Sequence, residues 1–286
     1  MLKIGMSSCC GFPVTVEGLS ELKAVGIDAI EYCGGRNIAN FDFPSARKAA
    51  DAAGIELWSV HSHMRPDFDI SSLEKESNDA AIAELSELIN RMSAVGIDKV
   101  VIHPTHTMEP FDQSTRGEKV KHAMACLDTL AEYAYKKNVY IALENLPRTC
   151  LGNTIDEHLT LLSANDKLRV CLDFNHSLID DTAEFIKAVG DRIITVHVSD
   201  RDNINERHWL PGEGVLDWKA NIDALEEVGY KGVWMYEMGL DCPITIARRR
   251  LEYKDFVDNA KAIFARKSLK SIGTPKPNLG LWGPKE

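Results

Sequence analysis

Two short apolar runs decide how this chain folds: Val139-Tyr-Ile-Ala-Leu-Glu144 and Leu168-Arg-Val-Cys-Leu-Asp173, each ending on a carboxylate. Runs of this length that are rich in β-branched residues predict buried strands. A carboxylate at the end of a buried strand must be paired, protonated or bound to a metal, because burying a bare charge costs too much free energy. The same pattern recurs along the rest of the chain.

Six further apolar runs predict six more strands, which gives eight in all. The predicted strands cover residues 2–10, 27–33, 55–61, 99–103, 139–144, 168–173, 192–198 and 232–237. Segments with helical spacing lie between most of them, and the predicted helices cover 16–25, 45–53, 71–95, 117–137, 217–228 and 244–266. Ser71 followed by Glu74 has the spacing of a capping box at the start of the third helix.

The alternation of strands and helices predicts a parallel sheet, and eight such units in about 250 residues fit a closed (β/α)₈ TIM barrel. An open doubly wound sheet is the alternative, but no Gly-x-Gly-x-x-Gly follows the first strand. We expect one barrel domain over residues 1–266. Residues 267–286, rich in Lys, Pro and Gly, are expected to form an extended or disordered tail. Its Leu279, Leu281 and Trp282 could anchor it on a neighbouring subunit of a homo-oligomer.

Composition limits the classes of function. The 286 residues are 44% hydrophobic and 27% charged, which is typical of a globular protein with a sizeable core. A net charge of -10 argues against a protein that grips a nucleic-acid backbone. In the loops after the first three strands, only Arg36 and Arg65 are evident cations. These features favour a small, sugar-like substrate over nucleic acid.

The cysteines and the apolar segments indicate a cytoplasmic protein. The chain has seven cysteines and no Cys-x-x-Cys pair, so buried free thiols such as Cys126 and Cys171 are expected in a reducing compartment. The adjacent Cys9 and Cys10 are expected to pack in the core at a strand end. No signal peptide is evident at the start, and no apolar stretch approaches the ~18 residues of a membrane span.

Polar residues collect where the predicted strands end. In a TIM barrel these ends meet at one face, which carries the active site. All of these residues offer oxygen or nitrogen, which suits Zn²⁺, Mn²⁺, Co²⁺ or Mg²⁺. At the strand ends lie His61, His103, Glu144, Asp173, His197 and Glu237, and on loops lie His176, Glu206 and His208.

Four of these residues form the predicted metal site: Glu144, Asp173, His197 and Glu237. Without a cation, four buried polar groups would converge with nothing to satisfy them, at several kcal/mol of desolvation for each ion. The other five are open between metal ligands and ordinary hydrogen-bonded or solvated side chains, and Arg207 between a substrate contact and a surface arginine. The remaining histidines are interpreted as core or surface residues: His63, His106, His122 and His158.

Four motifs in order resemble the xylose-isomerase-like TIM-barrel superfamily, the sugar phosphate isomerase/epimerase-like proteins that also include the apurinic/apyrimidinic-site endonucleases. The motifs are Ile141-Ala-Leu-Glu-Asn-Leu-Pro147, Cys171-Leu-Asp-Phe-Asn-His176, Val196-His-Val-Ser-Asp200 and His208-Trp-Leu-Pro-Gly-Glu-Gly214. The resemblance covers nearly the whole chain up to about Arg266. It implies one metal at the four predicted ligands, proton transfer by Glu144 and Glu237, and a substrate contact at His176. His61, His103 and the Glu206-Arg-His208 element depart from the epimerases and resemble the nine-ligand, three-zinc site of the endonucleases.

Three functional hypotheses follow. The favoured one is a metal-dependent ketose isomerase or epimerase that acts through an enediolate. In it, Glu144 and Glu237 are base and acid, and the contacts to substrate come from His176, Arg207, His61 and His103. The second is a polynuclear zinc phosphodiesterase, in which His61, His103, His176, Glu206 and His208 hold additional ions. The third is a binding protein that kept the pocket without catalysis.

Overall fold

Eight parallel strands form the centre of the computed structural model. The structure describes residues 2–63, 65–106 and 113–285, without the side chains of residues 35–37. The strands are β1 Lys3–Ser7, β2 Ala29–Cys33, β3 Glu56–His61, β4 Lys99–Ile102, β5 Tyr140–Glu144, β6 Arg169–Asp173, β7 Ile193–Val198 and β8 Val233–Tyr236. Each lies within one of the predicted strands.

The sheet closes on itself, which confirms the predicted (β/α)₈ barrel. Neighbouring strands pair in chain order from β1 to β8, and β8 pairs in parallel with β1. At the closure, Lys3 lies beside Val233 and Met6 beside Tyr236. Between β6 and β7, Asp173 lies beside His197, so two of the predicted ligands are adjacent across the sheet.

Eight helices surround the barrel. They are α1 Val16–Val25, α2 Phe43–Ala53, α3 Lys75–Ser93, α4 Arg116–Lys136, α5 Ile155–Leu162, α6 Thr182–Val189, α7 Trp218–Glu227 and α8 Tyr253–Phe264. Short 3₁₀ turns cover Ser8–Cys10, Gly35–Asn40, Gln113–Thr115 and Gly190–Arg192. None of the described helices combines the length and apolar composition that crossing a bilayer would require.

Alternation along the strands places the polar residues above an apolar layer inside the barrel. Successive side chains of a strand point to opposite faces, so the residue two positions before each predicted ligand points the same way as the ligand. Met235, Val101, Ala142 and Cys171 are such residues. Two small buried apolar groups contain them, one of Ala29, Val233 and Met235, the other of Val101, Ala142 and Cys171. The layer above them contains Glu31, His103, Glu144, Asp173 and Glu237.

Three predicted element boundaries are wrong. The first strand ends at Ser7, not at residue 10. The Ser71–Glu74 capping box does not form, because the Ser71 hydroxyl donates to Asp69 and Thr105, and α3 begins at Lys75. The last helix begins at Tyr253, not at residue 244, because Ile246–Ala247 form a short strand with Thr274–Pro275 of the tail.

The tail contacts the barrel of its own chain. The pairing of Ala247 with Thr274 ties it to the segment after β8, and the Gly273 amide donates to the buried Glu213 carboxylate at 2.7 Å. Gly212 has φ +94 and lies so close to Leu269 that a Cβ there would be 2.7 Å from the leucine Cβ. The described part of the tail is therefore anchored on the barrel of its own chain.

The cysteines are free thiols. Cys10, Cys126 and Cys171 are buried, as expected. Cys9 is exposed, so the expectation that both members of the Cys9–Cys10 pair lie in the core is wrong for the first. The cause is the 3₁₀ turn of Ser8–Cys10, since neighbouring residues of a helical turn point in different directions.

Candidate active site

Four strands bring the predicted metal ligands together. Ligand atoms of Glu144, Asp173, His197 and Glu237 all lie within 4.8 Å of one another. The first three residues are buried, and Glu237 keeps a small exposed fraction. His197 Nδ1 lies 3.3 Å from Glu144 Oε1, 3.1 Å from Glu237 Oε2 and 4.0 Å from Asp173 Oδ2. We call these four residues the central cluster. Each reaches this face because it ends its strand or lies next to the end.

The central cluster fits a divalent cation. Asp173 Oδ1 accepts the amide of Asn175 at 2.6 Å, whereas Asp173 Oδ2 is buried with no hydrogen-bond partner among the described residues. Burial raises the pKa of Asp173 to about 7. Such an oxygen is stabilised by binding a cation. Three carboxylates and one imidazole are a donor set for Zn²⁺, Mn²⁺, Co²⁺ or Mg²⁺.

The two glutamates of the cluster have lowered pKa values. Burial alone would raise the pKa of Glu144, but the charges of His197 and His103 outweigh it and hold this pKa well below its ordinary value. Burial likewise opposes the ionisation of Glu237, and His197 again lowers the pKa. Ionised carboxylates can bind a cation and can also accept a proton.

Glu31 is a member of the site that the sequence analysis missed. It lies on β2, fully buried, and its two carboxylate oxygens are 3.1 and 3.2 Å from His197 Nε2. Ser59 donates to Glu31 Oε2 at 2.8 Å. A carboxylate on one ring nitrogen fixes the tautomer, so His197 presents Nδ1 to the central cluster. The available signal was an acid inside the apolar run Ala29-Ile-Glu-Tyr-Cys33.

Asn145 fixes the relative position of two ligand-bearing strands. Its side-chain amide donates to the Asp173 carbonyl at 2.9 Å, and its side-chain oxygen accepts the Asp173 amide at 2.8 Å. Its own carbonyl lies 2.9 Å from His176 Nδ1. One asparagine after β5 therefore sets the height of Asp173 and the orientation of His176.

His61 and His103 lie beside Glu144. The Nε2 atoms of both are 3.1 Å from Glu144 Oε2, and the two rings meet edge to face at 4.9 Å. Burial lowers the pKa of His61, but the hydrogen bond and charge of Glu144 raise it to about 9. The arrangement allows two roles, a second metal position or a pair of donors to a substrate oxygen.

A second group lies beside the central cluster. His176 Nε2 is 2.8 Å from Glu206 Oε2, and the rings of His176 and His208 are perpendicular at 6.3 Å. Arg148 donates to Glu206 Oε1 at 2.6 Å. Burial opposes the ionisation of Glu206, but His176, His208 and Arg148 lower its pKa to about 2. The arginine is thus a second positive partner for this carboxylate.

Arg207 points away from both groups. Its guanidinium donates to the Asp202 carboxylate at 2.7 Å and to the main-chain carbonyls of Gly280 and Leu281. The structure therefore does not bring this predicted substrate contact into the site. Arg148, which the sequence analysis did not single out, is the arginine that lies beside Glu206.

The remaining candidates lie outside the central cluster. His122 is 3.0 Å from Asn78 on α3, and His158 is buried against Phe185. The Arg65 guanidinium is paired with Asp67 and Glu84. The side chain of the other expected cation, Arg36, lies outside the described residues.

Comparison with known proteins defines the class. The family model described as xylose isomerase-like TIM barrel matches residues 19–258. The chain therefore belongs to the xylose isomerase-like TIM barrel family, as its four motifs predict.

Individual relatives are named as sugar isomerases and epimerases. The chain is 26% identical to the inosose isomerase of Bacillus velezensis over 170 residues, which cover 55% of this chain and 59% of that protein. It is 24% identical to the 3-dehydro-D-guloside 4-epimerase of Escherichia coli, covering 82% of this chain and 92% of the relative. The crystal structure of a D-tagatose 3-epimerase-like protein shares the fold, with a TM-score of 0.74 and 20% identity over 92% of this chain and 96% of that one.

Proposed function

We propose that this protein is a metal-dependent sugar isomerase or epimerase. The observation that carries the proposal is the convergence of two glutamates, Glu144 and Glu237, on the same ring nitrogen of His197. Beside them lies the Asp173 oxygen that has no hydrogen-bond partner among the described residues. Relatives named as an inosose isomerase and a guloside 4-epimerase support the class of reaction.

The central cluster would hold one divalent cation, and Glu31 would keep His197 in the ligating orientation. A bound cation supplies Lewis-acid chemistry: it acidifies the C–H bond between a carbonyl and a hydroxyl of the substrate. His176, His61 and His103 surround the cluster, and in this proposal they contact the substrate oxygens.

Proton transfer falls to the two glutamates. One glutamate, in its ionised form, takes the proton from the substrate carbon. The other, after taking up a proton from solvent, delivers it to the opposite face of that carbon for an epimerase or to the neighbouring carbon for an isomerase, and the proton held by the first then passes to solvent. The Glu237 side chain is 13% exposed whereas that of Glu144 is 1% exposed. We therefore assign the first proton abstraction to Glu237, the carboxylate that a substrate meets first.

The test is exchange of a substrate C–H for deuterium in D₂O, with a panel of ketoses, inososes and keto-glycosides. Glu237→Gln keeps an oxygen ligand but cannot accept a proton, so exchange should slow by about 10²–10⁴, and Glu144→Gln should behave likewise. Glu157→Gln, at a glutamate paired with Arg116, is the control and should exchange at the wild-type rate. Unchanged exchange in both site variants would remove the glutamates from the mechanism.

A zinc phosphodiesterase is the second candidate function. It is favoured by two additional groups of ligand type, His61–His103–Glu144 and His176–Glu206–His208, each with ligand atoms within 4.8 Å. The 2.6 Å contact of Arg148 with Glu206 argues against it, because an arginine there competes with a cation. The net charge of -10 also disfavours a nucleic-acid substrate.

Metal stoichiometry separates the two candidates. We expect one tightly bound ion per chain, and His208→Ala should raise KM without loss of that ion. Elemental analysis that gives three ions, falling by one in His208→Ala, together with cleavage of a phosphodiester and no C–H exchange, would replace the isomerase with the phosphodiesterase.

A further inference from the structure

The end of the tail is a closed turn, which we call the terminal clip, residues 278–285. Leu279 forms a β-bridge with Pro284, and the Gly280 amide donates to the Gly283 carbonyl at 2.6 Å. The Lys285 amide closes the turn on the Asn278 carbonyl at 2.9 Å. Residues 278–285 therefore form a turn that is closed by its own backbone hydrogen bonds.

The terminal clip is hydrogen-bonded to the hairpin that follows β7, which consists of Asp200–Arg201 and Glu206–Trp209. Arg207 donates to the Leu281 carbonyl at 3.0 Å and to the Gly280 carbonyl at 2.7 Å, and its side chain is 2% exposed. Asn205 donates to the same Leu281 carbonyl at 2.7 Å. A buried arginine that donates to two main-chain oxygens of one turn fixes the position of the turn relative to the hairpin.

The residues next to these anchors belong to the site. Asn205 also accepts from Arg148 at 2.7 Å, and the Trp282 ring lies 5.0 Å from the Arg148 guanidinium carbon. Arg148 in turn contacts Glu206, whose other oxygen contacts His176. A continuous line of contacts therefore runs from the terminal clip to Arg148, Glu206, His208 and His176, which we call the wall of the central cluster.

Backbone geometry indicates that this wall needs support. Arg148 has φ 55 and His208 has φ 49, the left-handed conformation that side-chain-bearing residues rarely adopt. Such conformations persist where surrounding contacts enforce them. For Arg148 those contacts include Asn205, Glu206 and Trp282. For His208 they include the Asn175 side-chain oxygen and the Glu237 carbonyl, and the clip holds the adjacent Arg207.

We propose that the terminal clip is a positioning element for the active site. It holds Arg148, Glu206 and His208 against His176 and so shapes the part of the site that meets the non-reacting end of the substrate. The effect on substrate binding rests on the proposed function; the effect on the hairpin does not. Trp282 is 58% exposed beside Arg148, which places an aromatic face at the edge of the same wall.

The first experiment compares two truncated chains. A stop after Pro277 removes the clip, whereas a stop after Lys285 keeps the whole clip, with the Lys285 amide on the Asn278 carbonyl, and serves as the control. We expect amide hydrogen exchange in residues 200–209 to quicken by about tenfold or more only in the shorter chain. With a substrate in hand, KM should rise about tenfold while kcat stays within about threefold, because the central cluster is untouched.

Point variants test the same contacts in the full-length chain, in case the shorter chain does not fold. Arg207→Met removes the donors but keeps a long side chain, and should reproduce the faster exchange; Arg207→Lys keeps one donor and should restore part of the protection. Trp282→Ala leaves the main-chain carbonyls and should change KM without changing hairpin exchange. Equal hairpin exchange in Arg207→Met and wild type would overturn the proposal. Exchange is measured without substrate, so failure of the isomerase assignment is recognised separately, by the absence of sugar C–H exchange.

Discussion

The contact between Glu31 and His197 shows how single residues shape this site. The two lie on β2 and β7, strands that are not neighbours in the barrel, and they meet only because their side chains point inward at the same height. The carboxylate on Nε2 leaves Nδ1 to face Glu144 and Glu237. Orienting contacts of this kind typically change metal affinity by about 10–100-fold when removed.

Glu31→Gln tests that role. Gln can no longer act as a charged acceptor for the ring N–H, so His197 should lose its fixed tautomer, and metal affinity should fall by about 10–100-fold with the barrel intact. Isothermal titration with Mn²⁺ or Zn²⁺ measures the affinity, and circular dichroism monitors the fold. Ser59→Ala, which removes only a donor to Glu31, should have a smaller effect. Equal affinity in Glu31→Gln and wild type would contradict the orienting role.

His158 provides a pH-dependent contribution to stability. Neither of its ring nitrogens has a hydrogen-bond partner among the described residues, and burial lowers its pKa to about 3. The folded state therefore keeps this ring neutral, whereas the unfolded chain binds a proton below its ordinary pKa of about 6.5. Above about pH 6.5 the ring is neutral in both states and the full stability of the folded state is present. As the pH falls from about 6.5 toward 3, the free energy of unfolding decreases by about 1.4 kcal/mol per pH unit.

His158→Leu should remove this dependence. As the pH falls from 7 to 5, the unfolding free energy of wild type should fall relative to that of the variant. Urea titration at each pH measures both values. Replacement of the half-buried His122, which is hydrogen-bonded to Asn78, is the comparison. A constant difference between His158→Leu and wild type across this range would show that the buried ring is not the source.

At the scale of elements, local signals predicted some boundaries and missed others. α1 has the predicted bounds, because Thr15 caps it and Gly26 ends it with φ +105. α5 and α6 were not predicted, because eight residues make too few turns for a periodic apolar pattern. The N-terminal part of the predicted last helix is a strand through pairing with residues of the tail, a contact that no local pattern contains.

The same division applies to the site. The strand ends predicted Glu144, Asp173, His197 and Glu237 as a group, because a barrel brings all carboxyl ends to one face. Glu31 is not predicted, because it lies inside its apolar run and not at the strand end, where the pattern places the other ligands. The orientation of Arg207 was not predictable either, since it depends on the tail, which has no strong sequence pattern of its own.

The cap of α5 is a local signal that can be tested. Thr154 accepts the Glu157 amide at 3.3 Å at the start of the helix. Thr154→Ala should lower the unfolding free energy by about 1 kcal/mol through loss of this cap, measured as a shift in the urea midpoint. Thr154→Ser keeps the hydroxyl and should remain close to wild type. Equal losses in both variants would point to the methyl group instead.

At the scale of the whole molecule, barrel closure depends on close packing between the first and last strands. A Cβ added at Gly5 would lie 2.5 Å from Val233 Cγ1 and 2.8 Å from Met235 Cε. β1 and β8 pair at this point, and the apolar layer below the central cluster leaves no room for an additional methyl group. The glycine is therefore a condition for the barrel to close at this diameter.

Gly5→Ala should lower the unfolding free energy by about 1–3 kcal/mol, as expected for overpacking a filled interior. Chemical denaturation measures the change, and substrate exchange should weaken with it, since β8 also positions Glu237. Gly117→Ala, at a helical position with nothing within 4 Å, is the matched control and should be neutral or stabilising. A Gly5→Ala protein as stable as wild type would mean that β1 moves to make room.

The pairing of Lys3 with Val233 also governs the order of events on the ribosome. β1 is synthesised first but remains an unpaired edge on one side until β8, its last partner, has left the exit tunnel. Unpaired strand edges favour association with other chains, so the growing polypeptide is prone to aggregate until the eighth strand has joined the barrel. Closure then completes the sheet and adds Glu237 to the ligands already made, in one step. A nascent chain that ends before β8 therefore lacks Glu237, and the central cluster is complete only after the last strand has joined the barrel.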